Sequence, residues 1–318
     1  MKMLLALLAL TFAATAQAQA WPSKPIRYIA VFAPGGTTDI LARLIAPKLA
    51  EALGQPVVVE NRAGAGGSVG SELLAKAAPD GYTIGGCTIS SHATNVTLYS
   101  KLAYDPVKDF SPITMLATQP NLLVVHPSLG VSNVAELIAL LKANPNKYSF
   151  GSAGNGTSQH LSGEMFKTMT GTSMQHIPYK GSGPMVPDLL AGTIAMSFEN
   201  ITTAYPPAKQ GRLKALAVTT AKRSFVAPDV PTMQEAGLAG YDITSWQALF
   251  APAGVPKDIV ARLYAETVKA LKSPDVAKRL VDLGLDAGGM PPEELAATVR
   301  NDIPRLGKIV RDSGAKVD

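Results

Sequence analysis

The stretch YIAVFAPGGTTDILARLIA, residues 28 to 46, decides the fold. An apolar, β-branched run stops at Phe32, a loop of Pro34, Gly35, Gly36, Thr37, Thr38 and Asp39 follows, and a helical pattern begins. In a parallel sheet such a loop lies at the carboxyl end of its strand, where ligands bind. Gly35 and Gly36 allow close backbone approach and positive φ. Thr37 or Thr38 can cap the helix, and the free N–H groups of a helix start favour an anion. The loop carries no lysine or arginine, so an anion there would be held by backbone N–H groups and hydroxyls.

Moving outward, the same construction recurs at YSFGSAGNGTSQHLSGEMF, residues 148 to 166. A strand ends at Phe150, the loop Gly151, Ser152, Ala153, Gly154, Asn155, Gly156, Thr157, Ser158 follows, and a helix begins near Gln159. Two such loops, one per lobe, can face each other across a cleft. Further rim loops are expected at 60–70, 88–95, 178–183 and 198–203. Strands are expected at 26–32, 56–60, 82–89, 113–117, 121–126, 148–152, 173–179, 194–199 and 213–220, with helices between them, for instance at 38–53 and 133–144. Near-continuous apolar strands alternating with helices predict an α/β fold with parallel sheets covered on both faces. The last third holds two long amphipathic helices that start just after proline with acids in the first turn, a helix-start signature. They are expected to pack outside the first lobe's sheet. A chain of 318 residues exceeds one ordinary core, so two domains are expected.

The first 20 residues combine Lys2, a short apolar run from Leu4 to Ala14 and small residues at Ala16, Ala18 and Ala20. That is the pattern of a secretory signal peptide, cleaved after Ala18 or Ala20, and the run is too short to span a bilayer. Cys87 is the single cysteine and lies in an apolar strand, so a buried free thiol is expected. The net charge of +5 is scattered, without a basic stripe interleaved with aromatics, which argues against nucleic acid.

Reactive motifs are weak. GGSVG, residues 66 to 70, matches a nucleophile elbow with Ser68, but an elbow serine follows its strand directly and here NRAGA intervenes. The nearby glycines place Gly70 one position late for a dinucleotide fingerprint, and no phosphate-loop lysine motif exists. His92, His126, His160 and His176 lack metal-ligand spacing. No catalytic residue, metal or cofactor is therefore expected. An exported serine hydrolase using Ser68 is the rival from another class.

Taken together, F-x-P-G-G-x-x-D and the downstream VVVENRAGAGGSVG, SSHATN, YDPVKDFSPIT, GSAGNGTSQHL, PYKGSGP and APAGVPKDIV resemble the Bug family, the extracytoplasmic solute receptors of tripartite tricarboxylate transporters. The resemblance runs from about Trp21 to the C-terminus. It implies a two-lobed Venus-flytrap periplasmic binding protein with two crossing strands, TQPNLLVV and SWQALFAP, and a first domain of 21–121 plus 247–318 around a second of 122–246. It implies a small carboxylic acid as ligand, membrane transporter subunits as partners and a monomer. The ligand-binding set it implies is Pro34, Gly35, Gly36, Thr37, Thr38, Asp39, Ala65, Ser91, His92, Ser152, Ala153, Gly154, Asn155, Gly156, Thr157, Tyr179 and Glu199. Glu199 stands where the family would have Asp, and the longer acid is expected to shrink the pocket. A sensor that presents its ligand-bound state to a membrane signalling partner would share this fold.

Overall fold

The computed structural model describes residues 21–315 and Val317; the expected signal peptide lies outside the described residues. Strand β1 (Ile26–Ala30) runs parallel to β2 (Val57–Asn61) on one side and β3 (Thr83–Thr88) on the other. The first lobe's sheet continues antiparallel through β9 (Thr244–Pro252) to the first part of β4 (Phe110–Val125), with the short β10 (Asp286–Ala287) paired to β4. The second sheet uses the far end of β4. There it pairs with β7 (Met196–Asn200) and β8 (Lys214–Val218), and β7 continues to β5 (Ser149–Ser152) and β6 (Gln175–Pro178). Parallel pairs joined by helices, with antiparallel crossings at the junction, make a two-lobed α/β architecture.

The two-residue period of a strand sorts each sheet into two cores. Ile26, Tyr28 and Ala30 face helices α1 (Thr37–Leu53) and α8 (Lys257–Lys272), while Ile29 and Val31 face the opposite side with Leu74, Trp246 and Leu295. Along β4, Leu123 and Val125 join one core of the second lobe, and Leu122 and Val124 the other. The amphipathic helix α8 packs on one face of the first sheet. Helix α10 (Pro292–Ser313) packs on the other through Leu295, Val299, Leu306 and Val310, and α9 is Pro274–Asp282. Cys87 is buried with its thiol pushed up to about 12 by burial, which makes it an inert core residue.

The sequence predicts separate strands at 113–117 and 121–126; the structure joins them into one 16-residue strand. Proline cannot donate to a ladder. Yet Pro120 sits where β4 ends its pairing with β9 and begins pairing with β7 and β8, and Pro112 sits beside a register shift. Each proline occupies a position where the ladder is already irregular. The sequence reading expects helices between the strands without bounding each one, and three short helices fill such gaps: α2 (Ser68–Ala75), α6 (Ser182–Leu190) and α7 (Ile201–Lys209), the last two interrupted by prolines. The remaining described α-helices are α3 (Asn95–Leu98), α4 (Val134–Ala143) and α5 (Ser158–Thr170). No described helix is long and apolar enough to cross a membrane.

Candidate functional site

Between the two sheets lies a cavity of about 20 Å³. Gly36, Thr37 and Thr38 line it from the first loop, and Ala153, Thr157, Ser158 and Gln159 from the second. Thr88 and Ser90 enter from the end of β3, Ser245 and Gln247 from β9, Ser182 from the start of α6 and Asn200 from the start of α7; Phe32 supplies an apolar wall. None of these side chains is ionised, and hydroxyls and amides dominate.

Four helix starts meet here. Helix α1 begins at Gly36 and α6 at Gly181, neither with a side-chain cap; α7 begins at Asn200 and α5 at Thr157. A helix start carries unpaired N–H groups and the positive end of the helix dipole. Their convergence gives an uncharged wall a preference for anions. Threonine does not cap the first helix, contrary to expectation. Instead Thr37 Oγ1 accepts from Gln119 Nε2 (3.2 Å) and Asn200 Nδ2 (3.2 Å), and Thr38 Oγ1 donates to Gln247 Oε1 at 2.7 Å. In the second loop Thr157 does cap, accepting from His160 N, and its hydroxyl also donates to Gly154 O at 2.7 Å. The buried Thr88 Oγ1 and Asn200 Oδ1 have no hydrogen-bond partner among the described residues.

The lobes are closed on each other. Ala33 N donates to Lys180 O at 3.1 Å. A Cβ added at Gly183 would lie 2.0 Å from Pro34 O, one at Gly66 2.1 Å from Asn155 O, and one at Gly156 2.0 Å from Asn95 Oδ1. The backbones approach so closely that only glycine fits at these points.

Of the expected binding set, Gly36, Thr37, Thr38, Ala153 and Thr157 line the cavity. Pro34 and Gly35 lie at the interlobe contact with Gly183. Asp39 braces the first loop: it accepts from Gly35 N (3.0 Å), Arg43 Nε (3.0 Å) and Asn61 Nδ2 (2.9 Å). Burial works to raise its pKa, but these donors prevail and hold it below the usual carboxylate range. Ala65, with positive φ, offers its carbonyl to Asn95 Nδ2. Ser91 and His92 are buried beside the cavity. Their side chains meet at 3.0 Å, the imidazole stacks on Phe250 at 4.2 Å, and burial pushes His92 down to about 3. Ser152 bonds to His176 Nε2 (2.6 Å) and to the Gly154 backbone, and Gly156 N donates to His160 Nδ1 at 3.1 Å. Asn155 meets Gly66 across the lobes. The Tyr179 hydroxyl, pushed up to about 12 by burial and by Asp188, donates to Asp188 at 2.6 Å. Glu199 is fully buried behind Ser182 and does not line the cavity.

Sequence reasoning placed Thr88, Ser90, Ser182 and Asn200 only within its expected rim loops, and Ser158 and Gln159 only at the end of the second glycine loop; it missed Ser245 and Gln247. A signal existed for several: Ser245 and Gln247 are polar residues two apart in an otherwise apolar strand, and Ser182 and Asn200 open helices that follow strands. Ser68 opens α2, and its hydroxyl meets Asn95 Nδ2 at 2.8 Å and the Tyr104 hydroxyl at 3.4 Å. Loop residues Arg62 to Gly67 separate it from β2, so the elbow geometry is not formed.

Two α/β lobes, crossed by long strands and closed on a polar cavity, define the class of two-lobed periplasmic binding proteins. Rpa4515 of R. palustris, solved with adipate, superposes with a TM-score of 0.90 at 39% identity, covering 92% of this chain and 98% of that one. MatC from Rhodopseudomonas palustris with bound malate superposes with a TM-score of 0.87 at 35% identity, covering 91% and 100%. Protein BugT of Bordetella pertussis is 38% identical over 96% of this chain and 94% of its own length. Residues 41–315 match the tripartite tricarboxylate transporter family receptor, and the chain belongs to that family. Receptors of this family are periplasmic and serve tripartite transporters.

Proposed function

We propose that the protein captures a small carboxylic acid between its lobes in the periplasm and delivers it, chemically unchanged, to a tripartite membrane transporter. The observation that carries this reading is the convergence of four helix starts on a cavity lined by hydroxyls and amides. Such a site matches a carboxylate without a lysine or arginine, because backbone N–H groups supply the donors. The relatives solved with adipate and with malate support the same ligand class.

In this reading the loops Pro34–Thr38 and Ser152–Thr157 grip one carboxylate. Asp39, Ala65, Ser91, His92, Tyr179 and Glu199 hold the surrounding loops. The protein acts as a monomer, with lobes divided near residues 121 and 247. It reaches the periplasm by a signal peptide removed after Ala18 or Ala20. A cavity of about 20 Å³ holds little more than a water-sized group, so the lobes open and re-form around the acid.

The test is a thermal-shift screen of the mature chain against mono-, di- and tricarboxylic acids. A specific acid that binds only the folded state raises the melting temperature. A flat response across the whole panel, or turnover of an acid or ester that Ser68→Ala abolishes, removes the receptor reading.

A further inference from the structure

We propose that Glu199 and Ser182 form a proton-gated donor pair: a proton on Glu199 frees the Ser182 hydroxyl hydrogen for the anion in the cavity, so that capture of a carboxylate is tied to proton uptake. The proposal rests on the receptor reading above and concerns the same cavity.

Ser182 lines the cavity and opens helix α6 behind the uncapped Gly181. Its hydroxyl donates away from the cavity, to Glu199 Oε1 at 2.6 Å, and Thr203 Oγ1 donates to the same oxygen at 2.7 Å. Glu199 itself is wholly buried, and its Oε2 has no hydrogen-bond partner among the described residues. A serine hydroxyl has one hydrogen and two lone pairs. While that hydrogen serves Glu199, Ser182 shows an anion only lone pairs, which repel it.

A proton on Glu199 reverses the bond. The acid is then a donor, its O–H pointing to Ser182 Oγ, and the serine hydrogen is free to turn towards the ligand. No covalent bond is made or broken beyond the carboxyl O–H, and the proton comes from water. The charge balance favours the same outcome. An ionised Glu199 would be a second anion beside the helix starts that hold the ligand, and like charges in a poorly hydrated site repel strongly. Burial already raises its pKa above the ordinary carboxylate value, and the hydroxyls of Ser182 and Thr203, the Asn200 backbone and Gln159 only partly oppose that.

Among the described residues, no cation offsets the charge. The groups acting on Glu199 are those four, all neutral. On the elements packed around it, Asp188 of α6 is engaged by Tyr179, and Glu164 of α5 pairs with Lys167 and approaches His160. Lys209 lies exposed at the far end of α7.

The experiment is titration calorimetry of the mature chain with adipate, or with malate if adipate gives no heat, from mildly acidic to alkaline pH. The expected affinity is constant while Glu199 keeps its proton in the free protein. It then falls by up to about tenfold per pH unit as that proton is lost. In the same range the heat of binding should differ between phosphate and Tris, reporting proton uptake by the unaltered protein. Glu199→Gln supplies a permanent N–H donor to Ser182 and should flatten the alkaline fall. Ser182→Ala should weaken binding by about tenfold on the acid side and reduce the alkaline fall, leaving the part due to repulsion by ionised Glu199. An affinity that does not fall, a fall that persists in Glu199→Gln, or a heat independent of buffer overturns the proposal and leaves the receptor reading standing. If no acid of the panel binds, both fall together.

Discussion

The two glycine loops share a sequence plan and differ in how they are held. The second is braced from within its own lobe: Thr157 caps the helix, Ser152 ties Gly154, and the stacked pair His160 and His176, 4.1 Å apart, supports both through Gly156 and Ser152. The first is tied at its base by Asp39, but its hydroxyls reach Gln119, Asn200 and Gln247 on β4, β7 and β9. One loop is therefore preorganised, and the other completes its bonding through strands at and beyond the crossing. In the proposed receptor reading, a cleft built this way keeps one half of its grip ready and assembles the rest as it shuts.

The largest effect should come from preventing that assembly. Gly183 lies in a helix, so Gly183→Ala adds helix propensity, but its new Cβ would meet Pro34 O of the opposite lobe at 2.0 Å. Calorimetry should show a loss of up to about a hundredfold in carboxylate affinity, corresponding to an overpacking cost of about 1–3 kcal/mol. Solution scattering should show a larger radius of gyration with ligand present, and the melting temperature should not drop. Unaltered affinity would mean that the closed contact is dispensable.

Next come the loop glycines themselves. Gly35 (φ 88°) and Gly154 (φ 131°) both lie where a side chain is strained. At Gly35 the nearest atom to an added Cβ is Gly183 Cα at 3.5 Å, whereas at Gly154 it is Tyr179 O at 2.9 Å. Gly154→Val should therefore weaken binding more than Gly35→Val, measured side by side by calorimetry. The reverse order would mean that the second loop is the more adaptable of the two.

Acid should separate the loops as well. Burial pushes His160 down to about 4 and His92 to about 3, so both are neutral in the folded protein at neutral pH. A depressed histidine favours the fold above its unfolded value of about 6.5, and that contribution is lost as pH falls towards the folded value. Urea unfolding should show stability falling by up to about 1.4 kcal/mol per pH unit for each such histidine between about pH 6 and 4. His160→Gln should remove part of that slope. Asp39, held low, keeps its charge through most of that range, so the brace of the first loop should fail at lower pH than that of the second. A stability that does not change with pH across this window would contradict the burial of these imidazoles.

The smallest effect is at the caps. Thr157→Ala removes a cap and should cost about 1 kcal/mol of stability by urea unfolding. Thr37→Ala removes no cap and should cost less; equal costs would erase the distinction between the loops.

Most of the sheet was legible because near-continuous apolar runs such as Ile26–Ala30 and Lys214–Val218 announce themselves locally. The residue pattern splits β4 at Thr118–Pro120, whereas the crossing strand TQPNLLVV implied by the resemblance runs through Pro120; the change of pairing partners shows why proline is tolerated there. Helices α6 and α7 could not be bounded from the sequence because Pro187, Pro206 and Pro207 interrupt their pattern. Within the cavity, the two glycine loops could be found from sequence because glycine and hydroxyl clusters between strand and helix are local patterns. Asn200 falls in the rim loop expected at 198–203; the polar pair Ser245 and Gln247 is visible locally, but strand pairing alone brings it to the cavity. Gly66 and Gly183 fall in expected rim loops, but the reason they must be glycine lies in Asn155 and Pro34 of the opposing lobe, outside any local window.

Strand β4 also has a mechanical consequence. It passes from one sheet into the other without a break, hydrogen-bonded along β9 from Phe110–Pro252 to Pro120–Thr244, and Ile243 N then bonds to Thr219 O in the second sheet. A paired ribbon of this kind is a leaf spring: it flexes easily across its flat face and resists shear within its plane. In the receptor reading proposed above, such a ribbon confines the swing of the lobes to one axis and preserves their register from cycle to cycle. Gln119, on that ribbon, bonds to both Thr37 and Thr202, so the bending element itself touches a wall of the cavity.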